Sequence, residues 1–298
     1  MGDFFNSKDL LLDGISKLKF SKIPNPEIDA RILLSYAINY QNTIYMHNDI
    51  SISKKDKNKF YCFLDKRIQG KPVSRILGSR NFWKKNFLIN KYTLDPRQDS
   101  EIIVDIVTKT YSNNNKHIQI LDLGAGSGCI GLSIIDDLKN SSLLSLDICK
   151  QALEQVNINA QRLNLSEKLH YAQINWFEKR WIQNIKLITK NKKLFSKNKF
   201  DIIVCNPPYI KSSEIKKLQI EVKNYDPLIS LDGGIDGCDS YKAIFKDLSK
   251  LLSNNGVCFI EIGYDMLEDI KIILKEFNLN LIKVYKDFQG HSRVIEIN

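Results

Sequence analysis

From Ser100 onward, short apolar runs alternate with segments of helical periodicity, and this alternation restricts the fold more than any other feature of the chain. The runs are Ile118 to Leu123, Leu143 to Asp147, His170 to Ile174, Phe200 to Cys205, Val257 to Ile262, Leu281 to Tyr285 and Val294 to Ile297. A strand reaches a parallel neighbour only through a crossover of a dozen or more residues, usually a helix. The expected architecture is α/β: a doubly wound, mostly parallel, Rossmann-like sheet.

The chain before this region is patterned differently. Ser7 is a candidate N-cap ahead of the stripe Leu11, Ile15 and Leu18. Asn25-Pro26-Glu27 is a stronger helix start, with a capping residue, a first-position proline and an acid in the first turn. Ile28, Ile32 and Tyr36, with Leu33, Ala37 and Tyr40, would then form one broad apolar face. A third helix is expected from Ser53 to Ile68, with Phe60, Leu64 and Ile68 inward and Gly70-Lys71-Pro72 as its stop. Broken aromatic and β-branched residues from Val73 to Arg97, such as Phe82, Trp83 and Phe87, read as a hairpin linker. The division expected is a helical domain over 1–72, a linker over 73–97 and an α/β domain over 98–298. The basic tract Lys179 to Lys199 is expected to be an exposed insertion.

Two of the predicted strands end in chemistry. The first runs into Gly124-Ala125-Gly126-Ser127-Gly128 and then a helix, which is a nucleotide-binding βα unit. Asp147 closes the next strand about 20 residues on, where a carboxylate can accept both hydroxyl hydrogens of a ribose. Gly126, Gly128 and Gly131 also spell G-x-G-x-x-G, but that match begins two residues late for a dinucleotide site.

The other is Phe200 to Cys205, which stops at Asn206-Pro207-Pro208-Tyr209. Two prolines cannot extend a ladder, and they hold Asn206 and Pro207 extended, so the tip is stiff. It offers the Asn206 side-chain oxygen, the Pro207 carbonyl and the Tyr209 ring at the carboxyl edge of the sheet, where ligands bind. Two acceptors beside an aromatic face suit a planar –NH2 group, such as that of glutamine, asparagine, adenine or cytosine.

The chain has 298 residues and a formal charge of +10. A polyanionic partner is one reading of that charge, but no basic helix carries interleaved aromatics, and lysine, asparagine and isoleucine are abundant throughout. The excess is read as compositional. Six cysteines without a C-x-x-C pair and four dispersed histidines argue against a zinc site and for a reducing compartment. No apolar run approaches the roughly 18 residues of a membrane span, and no signal-type segment is evident at the N-terminus. A cytoplasmic protein is expected.

The loop Asp122, Gly124 to Gly128 resembles the adenosylmethionine loop of class I methyltransferases. With Ile76-Leu77-Gly78, Pro96 to Glu101, Trp176-Phe177, Asn206 to Tyr209, Leu231 to Gly234, Asp236-Gly237, Glu261-Ile262-Gly263, Asp287, Gly290 and Arg293, nearly the whole chain is similar to the release factor glutamine methyltransferases, the HemK/PrmC family. Ser100 stands where the family usually has Thr, Asn175 where it has Asp and Asp226 where it has Glu. A glutamine expected near Met266 is absent. The resemblance implies methyl transfer from S-adenosyl-L-methionine to the glutamine N5 in the Gly-Gly-Gln loop of class I peptide chain release factors. It implies that Gly124, Ala125, Gly126, Ser127, Gly128, Asp147, Trp176 and Asn206 hold the cofactor. It also implies that Asn206, Pro207, Pro208 and Tyr209 hold the glutamine, with Asn206, Pro207 and Tyr209 catalytic. The N-terminal domain would recognise the protein substrate, with no need for direct nucleic-acid binding. An adenine-N6 methyltransferase acting on DNA or RNA needs the same clamp and is the alternative. No separate target-recognition domain follows the predicted sheet, which weighs against it.

Overall fold

The computed structural model describes residues 4–190, 195 and 199–298. The chain divides into two compact units, Met1–Ser79 with Gln219–Tyr225, and Arg80–Leu218 with Asp226–Asn298.

The first unit holds β1 (Phe4–Asn6), α1 (Ser7–Phe20), α2 (Pro26–Ala37), β2 (Ser51–Ser53), α3 (Lys54–Ile68) and α4 (Val73–Leu77). Leu11, Leu18, Leu33, Leu34, Phe60 and Leu64 are its buried centre. Asn6, not Ser7, caps α1: its side chain accepts from Lys8 N, while the Ser7 hydroxyl donates to the Asn48 carbonyl. Helix α3 begins at the expected cap, because Ser53 Oγ accepts from Asp56 N and donates to Asp56 Oδ2.

The broad face expected of α2 is only half buried. Ala30, Leu33, Leu34 and Ala37 go inward, whereas Ile28, Ile32, Tyr36 and Tyr40 are exposed, as is Ile68 of α3. Two apolar stripes compete on α2, and the one with two alanines lets neighbouring helices approach closely. The helical turn α9 (Ile220–Lys223) also belongs to this unit. Buried Arg67 donates to Asp29 from Nε at 2.6 Å and to Glu221 of α9 from Nη2 at 2.5 Å.

The second unit, from Arg80, takes in all but the first residue of β3 (Ser79–Phe82), its partner β4 (Lys85–Leu88) and then α5 (Glu101–Tyr111). Then follow β5 (Ile118–Leu123), α6 (Cys129–Asp137), β6 (Ser141–Asp147), α7 (Lys150–Arg162), β7 (Leu169–Gln173), α8 (Trp181–Lys190) and β8 (Phe200–Cys205). The chain ends with α10 (Asp239–Leu251), β9 (Leu252–Glu261), α11 (Leu267–Glu276), β10 (Leu281–Lys286) and β11 (Ser292–Ile297). The seven strands lie in the order β10-β11-β9-β8-β5-β6-β7. Neighbours pair in parallel except at β11, which is antiparallel to both β9 and β10. The expected doubly wound sheet is present.

Alternation along each strand fills two cores, as a sheet covered on both faces requires. Leu121, Leu123, Ile203 and Cys205 join one cluster with α8, α10 and α11. Ile118, Ile120, Ile202 and Val204 join the other with α5, α6 and α7.

The tract Lys179 to Lys199 is not simply a solvated insertion. Its 181–190 stretch is the helix α8, which buries Trp181, Ile182, Ile185 and Thr189, and Phe195 is buried as well. The lysines mark its wet face, and the apolar residues beneath them at helical spacing are the stronger signal. The remainder of that expectation, at 191–194 and 196–198, lies outside the described residues.

Gly131 sits where α6 crosses β5 and β6. A Cβ there would lie 2.7 Å from Asp122 Oδ2 and 2.8 Å from Leu143 Cδ2, both fully buried side chains. Gly131→Ala is expected to destabilise the protein by up to about 2 kcal/mol, because overpacking of about 1–3 kcal/mol is offset only in part by the helix-propensity gain of about 1 kcal/mol. Urea denaturation checks this: an unchanged or higher midpoint would show that α6 can move away at no cost.

Candidate active site

The strand order reverses direction between β5 and β8, since the chain winds outward through β6 and β7 and then returns to the other side of β5. Ligand crevices form at such a switch point, beyond the carboxyl ends of the strands. The register makes the ends level: Leu123 pairs with Leu146 on one side and Cys205 on the other. Gly124, Asp147 and Asn206 therefore leave the sheet side by side.

They line a common cavity of about 610 Å³. Gly124, Gly126, Asp147, Trp176, Asn206 and Pro208 are on its wall. Ala125, Ser127 and Gly128 of the same loop are buried and do not line it, and neither do buried Pro207 or half-buried Tyr209. The wall also takes in residues that sequence reasoning did not single out, among them Tyr92, Leu94, Ile148, Leu228 and Ile229. Leu228 and Ile229 stay more than half exposed, and an apolar pair in a loop after Pro227 was the available signal.

The glycine loop is held by its own backbone and by Asp147. Gly124 N and Ala125 N both donate to the Leu146 carbonyl at 2.9 Å. Gly126 N donates to Asp147 Oδ2 at 2.9 Å, and Cys149 N to Asp147 Oδ1 at 2.8 Å. Gly126 has φ +56°, and a Cβ on it would meet nothing within 4 Å, so it is backbone conformation and not crowding that asks for glycine there. Burial pushes the Asp147 carboxyl up, against the backbone N–H groups of Cys149, Gly126 and Ile148 that favour its charge. Each oxygen keeps a lone pair for a further donor.

Trp176 faces Gly124, where a Cβ would lie 3.2 Å from the indole ring. Its buried Nε1 has no hydrogen-bond partner. Asn175 closes its own turn, its Oδ1 accepting from Phe177 N at 3.0 Å. Asp226 accepts from Arg97 and from Asp95 N, which ties the 92–97 segment to the 226–230 segment.

The Asn206 tip is backed by a polar chain. Asn206 Nδ2 donates to Ser100 Oγ at 2.8 Å, and Ser100 donates to Glu261 Oε2 at 2.5 Å. Tyr209 donates to Glu261 Oε1 at 3.1 Å, and Tyr241 to the Glu261 carbonyl at 2.8 Å. Gly233 packs against this tip so closely that a Cβ would lie 2.7 Å from Tyr209 Cα. Sequence alone places Ser100 and Glu261 in matching segments but does not bring them together.

Asp122, beneath the glycine loop, is 1% exposed and accepts from Gly131 N at 3.3 Å. Burial pushes it up to about 7, Gly131 N opposes and the Asp147 charge adds. The folded chain thus holds this proton more tightly than the unfolded chain does, and stability falls as pH rises from about 4 through about 7. Asp122→Asn removes that loss while keeping an acceptor for Gly131 N. Its thermal midpoint relative to the parent protein is expected to rise between pH 5 and pH 8, and a difference independent of pH would mean that Asp122 does not titrate in this range.

Comparison with known proteins adds independent findings. Residues 9–78 match the PrmC N-terminal domain, and residues 98–222 match the methyltransferase small domain. A release factor glutamine methyltransferase of Clostridium botulinum is 33% identical, over 97% of this chain and 98% of that protein. A bifunctional methyltransferase of Rickettsia bellii is 33% identical over 99% of this chain but 55% of its own length, so the chain spans about half of that relative. The crystal structure of a release-factor-specific protein-(glutamine-N5) methyltransferase from Alicyclobacillus acidocaldarius covers 68% of this chain and 92% of its own at 19% identity and a TM-score of 0.41.

Proposed function

Because the chain belongs to the release factor glutamine methyltransferase family, we propose that it methylates N5 of the glutamine in the Gly-Gly-Gln loop of class I peptide chain release factors, using S-adenosyl-L-methionine. The observation that carries this reading is the level register at the switch point, which sets the glycine loop, Asp147 and Asn206 around one cavity.

The residues present fit adenosylmethionine. A cavity of 610 Å³ falls within the range of small-ligand sites. Asp147 offers two acceptor oxygens to ribose hydroxyls, and the partnerless Trp176 Nε1 is a donor still to be satisfied. Gly124 and Gly126 supply close backbone approach, while Ala125, Ser127 and Gly128 shape the loop from behind. When bound, the cofactor supplies an electrophilic methyl group on a sulfonium.

The chain's own part is orientation. An amide nitrogen is a poor nucleophile because its lone pair is delocalised, so holding it in line is worth more than a base would be. Asn206 Oδ1, on the cavity wall beside Pro208, would accept one of its N–H groups; the Pro207 carbonyl and the Tyr209 ring, which lie behind that wall, would complete the clamp. These acceptors gain strength as positive charge grows on the nitrogen, and the surplus proton then leaves to solvent. The first unit is assigned to substrate recognition. A cytoplasmic setting belongs to the same proposal, supported by six free cysteines in the chain. Among the described residues no helix is long and apolar enough to cross a membrane.

Incubation with labelled adenosylmethionine plus either a release factor or duplex DNA tests the reading. Label is expected on the Gly-Gly-Gln glutamine, and label confined to DNA would overturn it. Asn206→Asp is expected to lower turnover about 10²-fold with little change in cofactor affinity. The aspartate has no N–H for Ser100 and binds a cationic ground state as strongly as the transition state. Native turnover by this variant would remove the orienting role given to Asn206.

A further inference from the structure

We propose that Glu261 is a positioning residue that acts through Ser100 to decide which end of the Asn206 amide faces the cavity. The inference rests on the reading above, in which Asn206 Oδ1 must accept from the substrate amide. It adds a reason why that oxygen, and not the chemically similar NH2, points the right way.

An amide side chain is nearly symmetrical in shape, so packing alone cannot distinguish Oδ1 from Nδ2. Donor and acceptor roles can. Glu261 ends β9 at 1% exposure, and as a carboxylate it only accepts. Ser100 has a single hydroxyl hydrogen, and it goes to Glu261 Oε2 at 2.5 Å. Toward Asn206 the Ser100 oxygen can then only accept, so it takes Nδ2 at 2.8 Å. Oδ1 is left for the cavity. Tyr209 also donates to Glu261, so the two functional side chains of the tip take their orientation from one carboxylate.

The same logic states what breaks the arrangement. A glutamine at 261 can donate from Nε2 to Ser100, which frees the Ser100 hydrogen for Asn206 Oδ1. The Asn206 amide then turns over and presents a donor where the substrate needs an acceptor. Protonating Glu261 has the same effect. Burial pushes Glu261 up to about 7, opposed by Ser100, Arg293 and Tyr209, while Asp99 adds to the rise. The Tyr241 and Cys205 side chains also feel its charge. The direction of the amide is therefore lost as pH falls through about 7 in the free protein.

The test uses the whole chain, uniformly labelled with nitrogen-15, and two readouts. The first is the Asn206 side-chain NH2 resonance pair in the free protein, assigned by its loss in Asn206→Asp. Above pH 8 one of its hydrogens is expected to exchange slowly, because it bonds to Ser100. In Glu261→Gln, and in Ser100→Ala should the glutamine variant fail to fold, that protection disappears, whereas Ser100→Thr keeps it. The second readout is steady-state methylation of a release factor. Glu261→Gln is expected to lower kcat about tenfold or more with cofactor Kd within about threefold, and to lose the acid limb near pH 7. An Asn206 pair with unchanged protection in folded Glu261→Gln would overturn the proposal, whatever the activity and whatever Ser100→Ala shows; should the glutamine variant not fold, protection in the parent protein that persists unchanged as pH falls below about 7 would overturn it. If the pair responds as expected but the parent protein leaves release factors unlabelled, the positioning role stands and the proposed substrate falls.

Discussion

The cavity depends on one constraint, the parallel register that brings β5, β6 and β8 to an end at the same height. Each strand is short and apolar, and each is followed by a different polar device: a glycine loop, a carboxylate and a proline-stiffened amide. None of these devices makes a site alone. A slip of one residue in β8 would turn Ile203 and Cys205 out of their cluster and exchange the faces of Ile202 and Val204, so the core on both sides resists it. Core packing thus sets the relative positions of groups that do not touch each other.

Around that frame the molecule accepts buried carboxylates that cost stability, Asp122 and Glu261 the most deeply buried among the described residues. Asp122 and Glu261 are both 1% exposed, and burial raises both to about 7. A core built for stability alone would use apolar residues of similar volume. One carboxylate lies under the glycine loop and the other behind the Asn206 tip, so the unfavourable charges sit beneath the two polar ends of the site.

The alternation of strands and helices, the glycine loop, Asp147 and the Asn206 tip were all legible in the sequence, because each is carried by a short continuous segment with its own local chemistry. Pro26 and Ser53 likewise announced helix starts that the structure has. What was not legible depends on pairing. Periodicity on α2 offers two apolar stripes, and only the neighbouring helices choose Leu33 and Leu34 over Ile28 and Ile32. Charge hid α8, whose buried Trp181 and Ile185 contribute to the core while its lysines dominate a composition count. The bond from Ser100 to Glu261 spans 161 residues, and no local pattern could announce it.

The two halves of the site consequently differ in sequence distance. Gly126 meets Asp147 across 21 residues, inside a single βαβ segment, so the glycine loop is complete as soon as β5 and β6 pair. The Asn206 tip is held across 106 residues to Ser100 and takes its direction from β9, beyond α10. Closing longer loops costs more chain entropy, and contacts of that span are satisfied only when the sheet is whole. Any partial opening that detaches β9 would leave the loop intact while Asn206 loses its bearings. A chain that has not finished folding can therefore carry a finished glycine loop while Asn206 is not yet held.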